Sequence, residues 1–241
     1  MMQVMILSAG RGERLRPLTD HCPKPLVPVH GRPLIEWHLL RLSAQGFQQV
    51  VINTAHLGRM IEQALGDGSR FGLGIRYSRE PEGALETAGG IATARPWADP
   101  DTPFLVINGD VLCDWPFQTA ETLTHVITNP DQPTDALLIM VKNPQHHPEG
   151  DFVLNEDQQL RRKLAGATAL TYSGIGLFHP RLFSNLARGQ WQALGPMLQK
   201  TADEGRLQGR RHNGLWVDVG TPERLEWINN QKDLPSRLWP V

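Results

Sequence analysis

No stretch of the chain approaches the roughly 20 consecutive apolar residues that cross a bilayer. The sequence therefore predicts no membrane-spanning helix and no membrane partner. An excess of one charge is also missing: 24 Lys and Arg face 25 Asp and Glu, leaving a formal net charge of −1. Such a surface has no general attraction for nucleic acid or anionic lipid, so any anion must be bound by a local cluster. Cysteine is scarce. Cys22 and Cys113 stand far apart, which predicts two reduced thiols in a cytoplasmic protein rather than a disulfide framework. Residues 1–7 have no basic leader and run directly into a glycine-rich loop, which predicts a first strand and not a signal peptide. What the chain does have is glycine and proline, 23 and 19 of 241 residues, and enough apolar residues for a sizeable core.

Apolar runs alternate with amphipathic stretches along the first half. Val4–Leu7, 49–53, 75–77 and 104–107 read as buried strands. Residues 34–45, Gly58–Leu65 and 88–94 carry helical apolar spacing, with Gly46 and Pro96 as stops. This alternation predicts an α/β fold with a single doubly wound, mostly parallel sheet covered by helices on both faces. The second half is less regular. Ala136–Val141, Thr171–Phe178 and 215–219 read as strands, and 151–154 with 159–163 as a small β hairpin inserted between them. Helices are expected over 180–186 and 195–204. A final helix opens at Thr221-Pro222-Glu223, where Thr suits the N-cap and Pro the first turn. Residues 231–241 read as irregular. With no repeat and no linker, one domain over 1–241 is expected.

The loop after the first strand carries the most chemistry. It reads Ser8-Ala9-Gly10-Arg11-Gly12-Glu13-Arg14-Leu15-Arg16-Pro17-Leu18-Thr19, followed by Pro23-Lys24-Pro25. Ligands of open α/β sheets bind beyond the carboxyl ends of the strands. Small residues there let backbone N–H groups cradle phosphate oxygens. Arg11, Arg14, Arg16 and Lys24 place cations near that nest, and a triphosphate brings about four negative charges to be matched. The loop is neither a Rossmann fingerprint nor a P-loop, since it lacks the third glycine of the one and the Gly-Lys-Ser/Thr of the other. Two carboxylates, Asp110 and Asp218, stand at or near the ends of apolar strands. With phosphate oxygens they can complete the oxygen shell that Mg²⁺ requires. His146-His147 are neighbours on a Pro-rich loop without a Cys partner, so they read as a polar loop rather than a metal site.

The strand, glycine-rich loop, Arg-x-x-Pro-Leu-Thr and Pro-Lys-Pro together resemble the signature of the sugar-1-phosphate nucleotidyltransferase family. Asn108-Gly109-Asp110 and Val217-Asp218-Val219-Gly220-Thr221-Pro222 are similar to its metal motifs. The resemblance implies a Rossmann-like nucleotidyltransferase fold that binds a nucleoside triphosphate and a sugar 1-phosphate with Mg²⁺. It implies that Ala9, Gly10, Arg11, Gly12 and Glu13 wrap the triphosphate and that Arg14 holds its β- and γ-phosphates. Lys24 would neutralise the transferring phosphoryl, and Asp110 and Asp218 would hold the metal. The backbone around Glu80 and Ala84 would meet the base. Asn108, Gly150 and Asp151 would meet the sugar. Residues 1–110 would then form a nucleotide half, and 111–241 a sugar half with the second metal ligand.

Glu13 departs from the threonine common in larger relatives, and Gly12-Glu13-Arg14 is similar to a short branch of uridylyltransferases acting on N-acetylmuramate 1-phosphate. That implies UTP; a mannose-1-phosphate guanylyltransferase, a glucose-1-phosphate thymidylyl- or uridylyltransferase and a non-catalytic nucleotide-sugar sensor stand as alternatives. Arg161-Arg162-Lys163 stand where many relatives carry Glu-Lys-Pro. A missing Glu with cations nearby fits an anionic sugar. The short stretch after the Thr-Pro-Glu-Arg helix leads us to expect a catalytic core with no appended domain.

Overall fold

A computed structural model describes residues 2–81, 85–97, 99–163 and 166–238. Its centre is a seven-stranded sheet in the spatial order Leu207–Arg211, Ala136–Val141, Thr171–Phe178, Phe104–Asn108, Val4–Leu7, Gln49–Thr54, Gly74–Arg79. Six of these strands point the same way, and Thr171–Phe178 runs against both of its neighbours. The expected α/β, mostly parallel sheet is thus observed.

Strand periodicity explains why helices cover both faces. Val4, Ile6, Val50, Ile52, Leu105 and Ile107 bury one face against the helices Leu34–Ala44, Gly58–Leu65 and Thr119–Ile127. Met5, Val51, Phe104 and Val106 bury the opposite face against Glu86–Ala94 and Leu194–Asp203. A third cluster matters for the site. Leu234 and Leu238 of a short C-terminal helix join Ile228, Trp37 and Leu112 around Val217 and Val219. This packing holds the strand Trp216–Asp218 antiparallel to Val111–Cys113, with Asp218 opposite Val111.

Some elements differ from the sequence reading. Residues 180–186 form only the short turn Pro180–Phe183, because Leu182 and Ser184 close three-residue bonds onto His179 and Arg181. The strand Leu207–Arg211 and the helix Thr119–Ile127 carry few apolar residues. The first lies at a sheet edge, and the second buries only Ala120 and Ile127. Residues 231–241 were expected to be irregular, yet Leu234–Leu238 is helical, since its two leucines lie one turn apart on the buried side. The hairpin is present as Phe152–Leu154 paired with Leu160–Arg162.

Candidate active site

The chain leaves the Val4–Leu7 strand toward Gln49–Thr54 on one side and later returns to Phe104–Asn108 on the other. Their carboxyl ends therefore meet at a topological switch point, where α/β sheets open a crevice. A cleft of about 240 Å³ lies there, lined by Ala9, Gly10, Gly12, Lys24, Asn53, Glu80, Glu86, Thr87, Asn108 and Asp110. Among the described residues, the amides of Ala9, Gly10, Arg11 and Gly12 donate to no backbone carbonyl. Amides without a backbone partner are what a phosphate-binding nest requires.

The loop is anchored by a strut that sequence reasoning missed. The Ser8 amide donates to Asn53 Oδ1 at 2.7 Å, and Asn53 Nδ2 donates to Glu80 Oε1 at 2.7 Å. The second Glu80 oxygen accepts from the Leu85 amide at 3.0 Å. Glu80 therefore ties the phosphate loop to the start of the Glu86–Ala94 helix, and its carboxylate is buried. Ala84, expected beside it at the base, lies outside the described residues. Gly90 leaves room for this strut: a Cβ there would stand 2.6 Å from Glu80 Oε1 and 3.0 Å from Asn53 Nδ2. Gly90→Ala is therefore expected to destabilise the fold by roughly 1–3 kcal/mol, the usual cost of overpacking. It should also weaken nucleotide binding through Ser8. Denaturant unfolding and nucleotide titration check both, and an unchanged protein would remove the strut from the argument.

Lys24 and Asp110 meet across the mouth of the loop, Nζ to Oδ2 at 2.5 Å. His38, in the electrostatic reach of Asp110, is fully buried. Burial, followed by the positive field of Arg41, pushes its pKa down to about 3 against the opposing pull of Asp110. His38 is thus a neutral packing group and adds no charge.

Of the four cations counted near the loop, two are matched locally. Arg11 donates to the Thr19 carbonyl and to Asp20 Oδ1, both at 2.7 Å. Arg16 lies 3.1 Å from Asp20 and 3.3 Å from Glu13. Glu13 is exposed, and Arg16 offsets its carboxylate. Arg14 Nη2 lies near Gly220, together with Arg224 Nη2 and Asp218 Oδ2.

The pairing of Trp216–Asp218 with Val111–Cys113 brings the segment of Asp218 beside that of Asp110. The Val219 amide donates to the Asp110 carbonyl at 2.7 Å. Asp218 Oδ2 lies 3.1 Å from Arg224, and its Oδ1 lies 3.2 Å from His146 Nε2. Oδ1 is buried yet makes no hydrogen bond. A buried carboxylate oxygen without a hydrogen bond, on a strand paired next to Asp110, is a donor of the kind that fits a hard cation. His146, read as loop, is therefore a neighbour of the site. Burial holds its pKa below the ordinary imidazole value; Asp218 opposes that shift, and Arg224 and Arg14 reinforce it. Neither His146 nor Arg224 had a local sequence signal.

The residues expected at the sugar are spread more widely. Asn108 lines the cleft. Gly150 and Asp151 lie at the start of the hairpin, where Asp151 accepts from the Tyr172 amide at 2.7 Å and pairs with His147 at 3.0 Å. Both Asp151 oxygens are thus engaged in positioning the chain. Two of the three cations at the hairpin's end are also matched, Arg162 with Asp203 at 2.8 Å and Lys163 with Glu149 at 3.3 Å.

A family model described as nucleotidyl transferase matches residues 3–233. An N-acetylmuramate alpha-1-phosphate uridylyltransferase of Neisseria meningitidis serogroup B is 51% identical over 229 residues, covering 93% of this chain and 96% of the relative. A protein of the same description from Caulobacter vibrioides is 33% identical, covering 91% and 92%. A crystal structure of a putative glucose-1-phosphate thymidylyltransferase from Bacillus anthracis superposes with a TM-score of 0.78 over 95% of this chain and 94% of that one, at 23% identity. That likeness supports the shared fold.

Proposed function

The chain belongs to the nucleotidyl transferase family, and we propose that it transfers UMP from UTP to N-acetylmuramate α-1-phosphate, giving UDP-N-acetylmuramate and pyrophosphate. The observation that carries the reaction class is the contact of Lys24 with Asp110 at the mouth of a loop of free amides. The choice of UTP and muramate is supported by the near full-length similarity to the Neisseria relative. A phosphate oxygen of the sugar 1-phosphate is already a nucleophile at neutral pH. It attacks the α-phosphorus of UTP in line, the bond from that phosphorus to the bridging oxygen breaks, and pyrophosphate leaves with the electron pair. No proton needs to be removed, so the protein's work is positioning and charge neutralisation.

In this reading the amides of residues 9–12 cradle the triphosphate, Arg14 faces its outer phosphates, and Lys24 meets the transferring phosphoryl. Asp110 and Asp218 would hold Mg²⁺, which when bound supplies charge neutralisation and polarises the phosphoryl oxygens. Residues 1–110 serve the nucleotide, and 111–241 the sugar and the second metal ligand. Product of this kind would feed cell-wall sugar recycling in the cytoplasm. Among the described residues no helix is long and apolar enough to cross a membrane.

The test is pyrophosphate release with Mg²⁺, crossing UTP, dTTP, GTP and CTP against the 1-phosphates of N-acetylmuramate, N-acetylglucosamine, glucose and mannose. Preference for UTP with the muramate is expected. Preference for another pair would keep the reaction class and replace the substrates. Nucleotide binding without release from any pair would favour a sensor.

A further inference from the structure

Trp191 is 62% exposed, more than any other large apolar side chain among the described residues. Its place in the fold is set by a segment that climbs the Glu86–Ala94 helix. Arg188 and Gly189 bond to Thr93 near that helix's C-terminus. Higher up, the Gln192 amide donates to the Leu85 carbonyl at 3.0 Å, and the Gly89 amide donates to the Gln192 carbonyl at 3.0 Å. Contact is so close at Gly89 that an added Cβ would overlap the Gln190 carbonyl oxygen. Trp191 is thus delivered to the first turn of the helix, whose Glu86 and Thr87 line the cleft.

Direction along the sheet agrees. The Leu194–Asp203 helix begins just beyond Trp191 and leads into Leu207–Arg211, a strand parallel to Ala136–Val141. A helix feeding such a strand starts at the carboxyl end of the sheet, where the cleft opens. The side also matters. Gly90 of the first helix faces Glu80 and Asn53, while Gly89 faces the Trp191 segment. The following helix packs on the Leu160–Arg162 strand of the hairpin. The Trp191 segment therefore stands at the cleft's end of the sheet, on the side of the second half of the chain and away from the Asn53–Glu80 strut.

We propose that Trp191 is a wall of the acceptor-sugar subsite, on which the C–H face of the pyranose ring stacks. This rests on the transferase reading above. An indole held by backbone bonds on both sides offers a large rigid face at low entropic cost, and its burial by a sugar removes apolar surface from water. A pyranose has one apolar face and a polar rim, so it matches a flat ring next to a polar cleft. The triphosphate, gripped by the glycine-rich loop, has no use for that surface.

The test uses the full chain with Trp191→Ala and Trp191→Phe. In the pyrophosphate assay, Trp191→Ala should raise KM for the sugar 1-phosphate about tenfold, with KM for UTP changed less than about twofold and kcat nearly unchanged. Trp191→Phe should restore most of the loss. An unchanged sugar KM, or a rise confined to UTP, overturns the proposal. In parallel, tryptophan emission is titrated with the same sugar 1-phosphates in the presence of UTP and Ca²⁺. A change in the wild type that disappears in Trp191→Phe supports the stacking, and an identical response in both overturns it. If wild type releases no pyrophosphate with any sugar, the transferase reading fails, and the emission arm still decides whether Trp191 meets a sugar phosphate.

Discussion

Asp110→Asn is expected to lower turnover about a thousandfold while the protein stays folded, since losing about 4 kcal/mol of transition-state stabilisation corresponds to that factor. The substitution keeps the side chain's shape and removes its charge. Asp110 closes the Phe104–Asn108 strand's turn and faces Lys24, and its carbonyl, not its side chain, accepts from Val219. That backbone bond joins the Trp216–Asp218 strand to the site and survives the change. The Asp110 side chain is about one-third exposed at 32%, so an amide there and a lysine left without its counter-charge both retain contact with water. A stability loss of about 1 kcal/mol or less follows, as for a partly solvated ion pair. The check is the initial rate of pyrophosphate release over a Mg²⁺ series, with thermal unfolding alongside. Turnover within tenfold of wild type at limiting Mg²⁺ would take Asp110 out of the metal site. Activity lost together with the folded state would make the residue structural.

What the chain's order of residues revealed follows physical locality. The glycine-rich loop was legible because its chemistry is backbone chemistry: small residues must stand at consecutive positions for the amides to point one way. The strands were legible where both faces are buried, as in Ala136–Val141. Leu207–Arg211, an edge strand with a single apolar side chain, was not. Charge was legible as a count and not as a field. Arg11 and Arg16 were counted as cations near the nest, and Asp20 and Glu13 on the same short segment pair with them. Arg14, with no carboxylate partner of that kind among the described residues, stands beside Gly220 and the Asp218 cluster. That cluster is the least local feature of the site. His146 and Arg224 reach Asp218 only because a three-residue strand pairs with Val111–Cys113 and the C-terminal helices pack over it. No spacing within either segment announces such a meeting. Glu80 shows the same limit in another form. Its backbone was expected near the base, whereas its side chain became the strut to Asn53 because the parallel register sets Gln49–Thr54 beside Gly74–Arg79.

Lys24→Ala carries the second large effect, and its two parts run in opposite directions. The ammonium sits 2.5 Å from Asp110 Oδ2, with a side chain only 13% exposed. In the proposed reaction the same ammonium must meet the transferring phosphoryl, so it has two anionic claimants. Removing it leaves developing phosphoryl charge without a fixed partner, which lowers kcat by about a hundredfold or more, as for loss of one oxyanion donor. Removing it also frees Asp110 from a competitor of the metal. The Mg²⁺ concentration for half-maximal rate should therefore fall by about threefold to tenfold, as expected when one nearby positive charge is withdrawn from a partly screened carboxylate. Lys24→Arg keeps the charge and should restore the wild-type metal requirement, yet recover only part of kcat, because a guanidinium fork cannot take the place of a compact ammonium at both partners. Rates across a Mg²⁺ series and a direct Mn²⁺ titration of the protein by electron paramagnetic resonance separate the two effects. Unchanged kcat in Lys24→Ala would remove the lysine from the phosphoryl site. A weaker metal requirement in that variant supports exchange of Lys24 for the cation at Asp110. A stronger one would mean that Lys24 orients the carboxylate for the metal rather than competing with it.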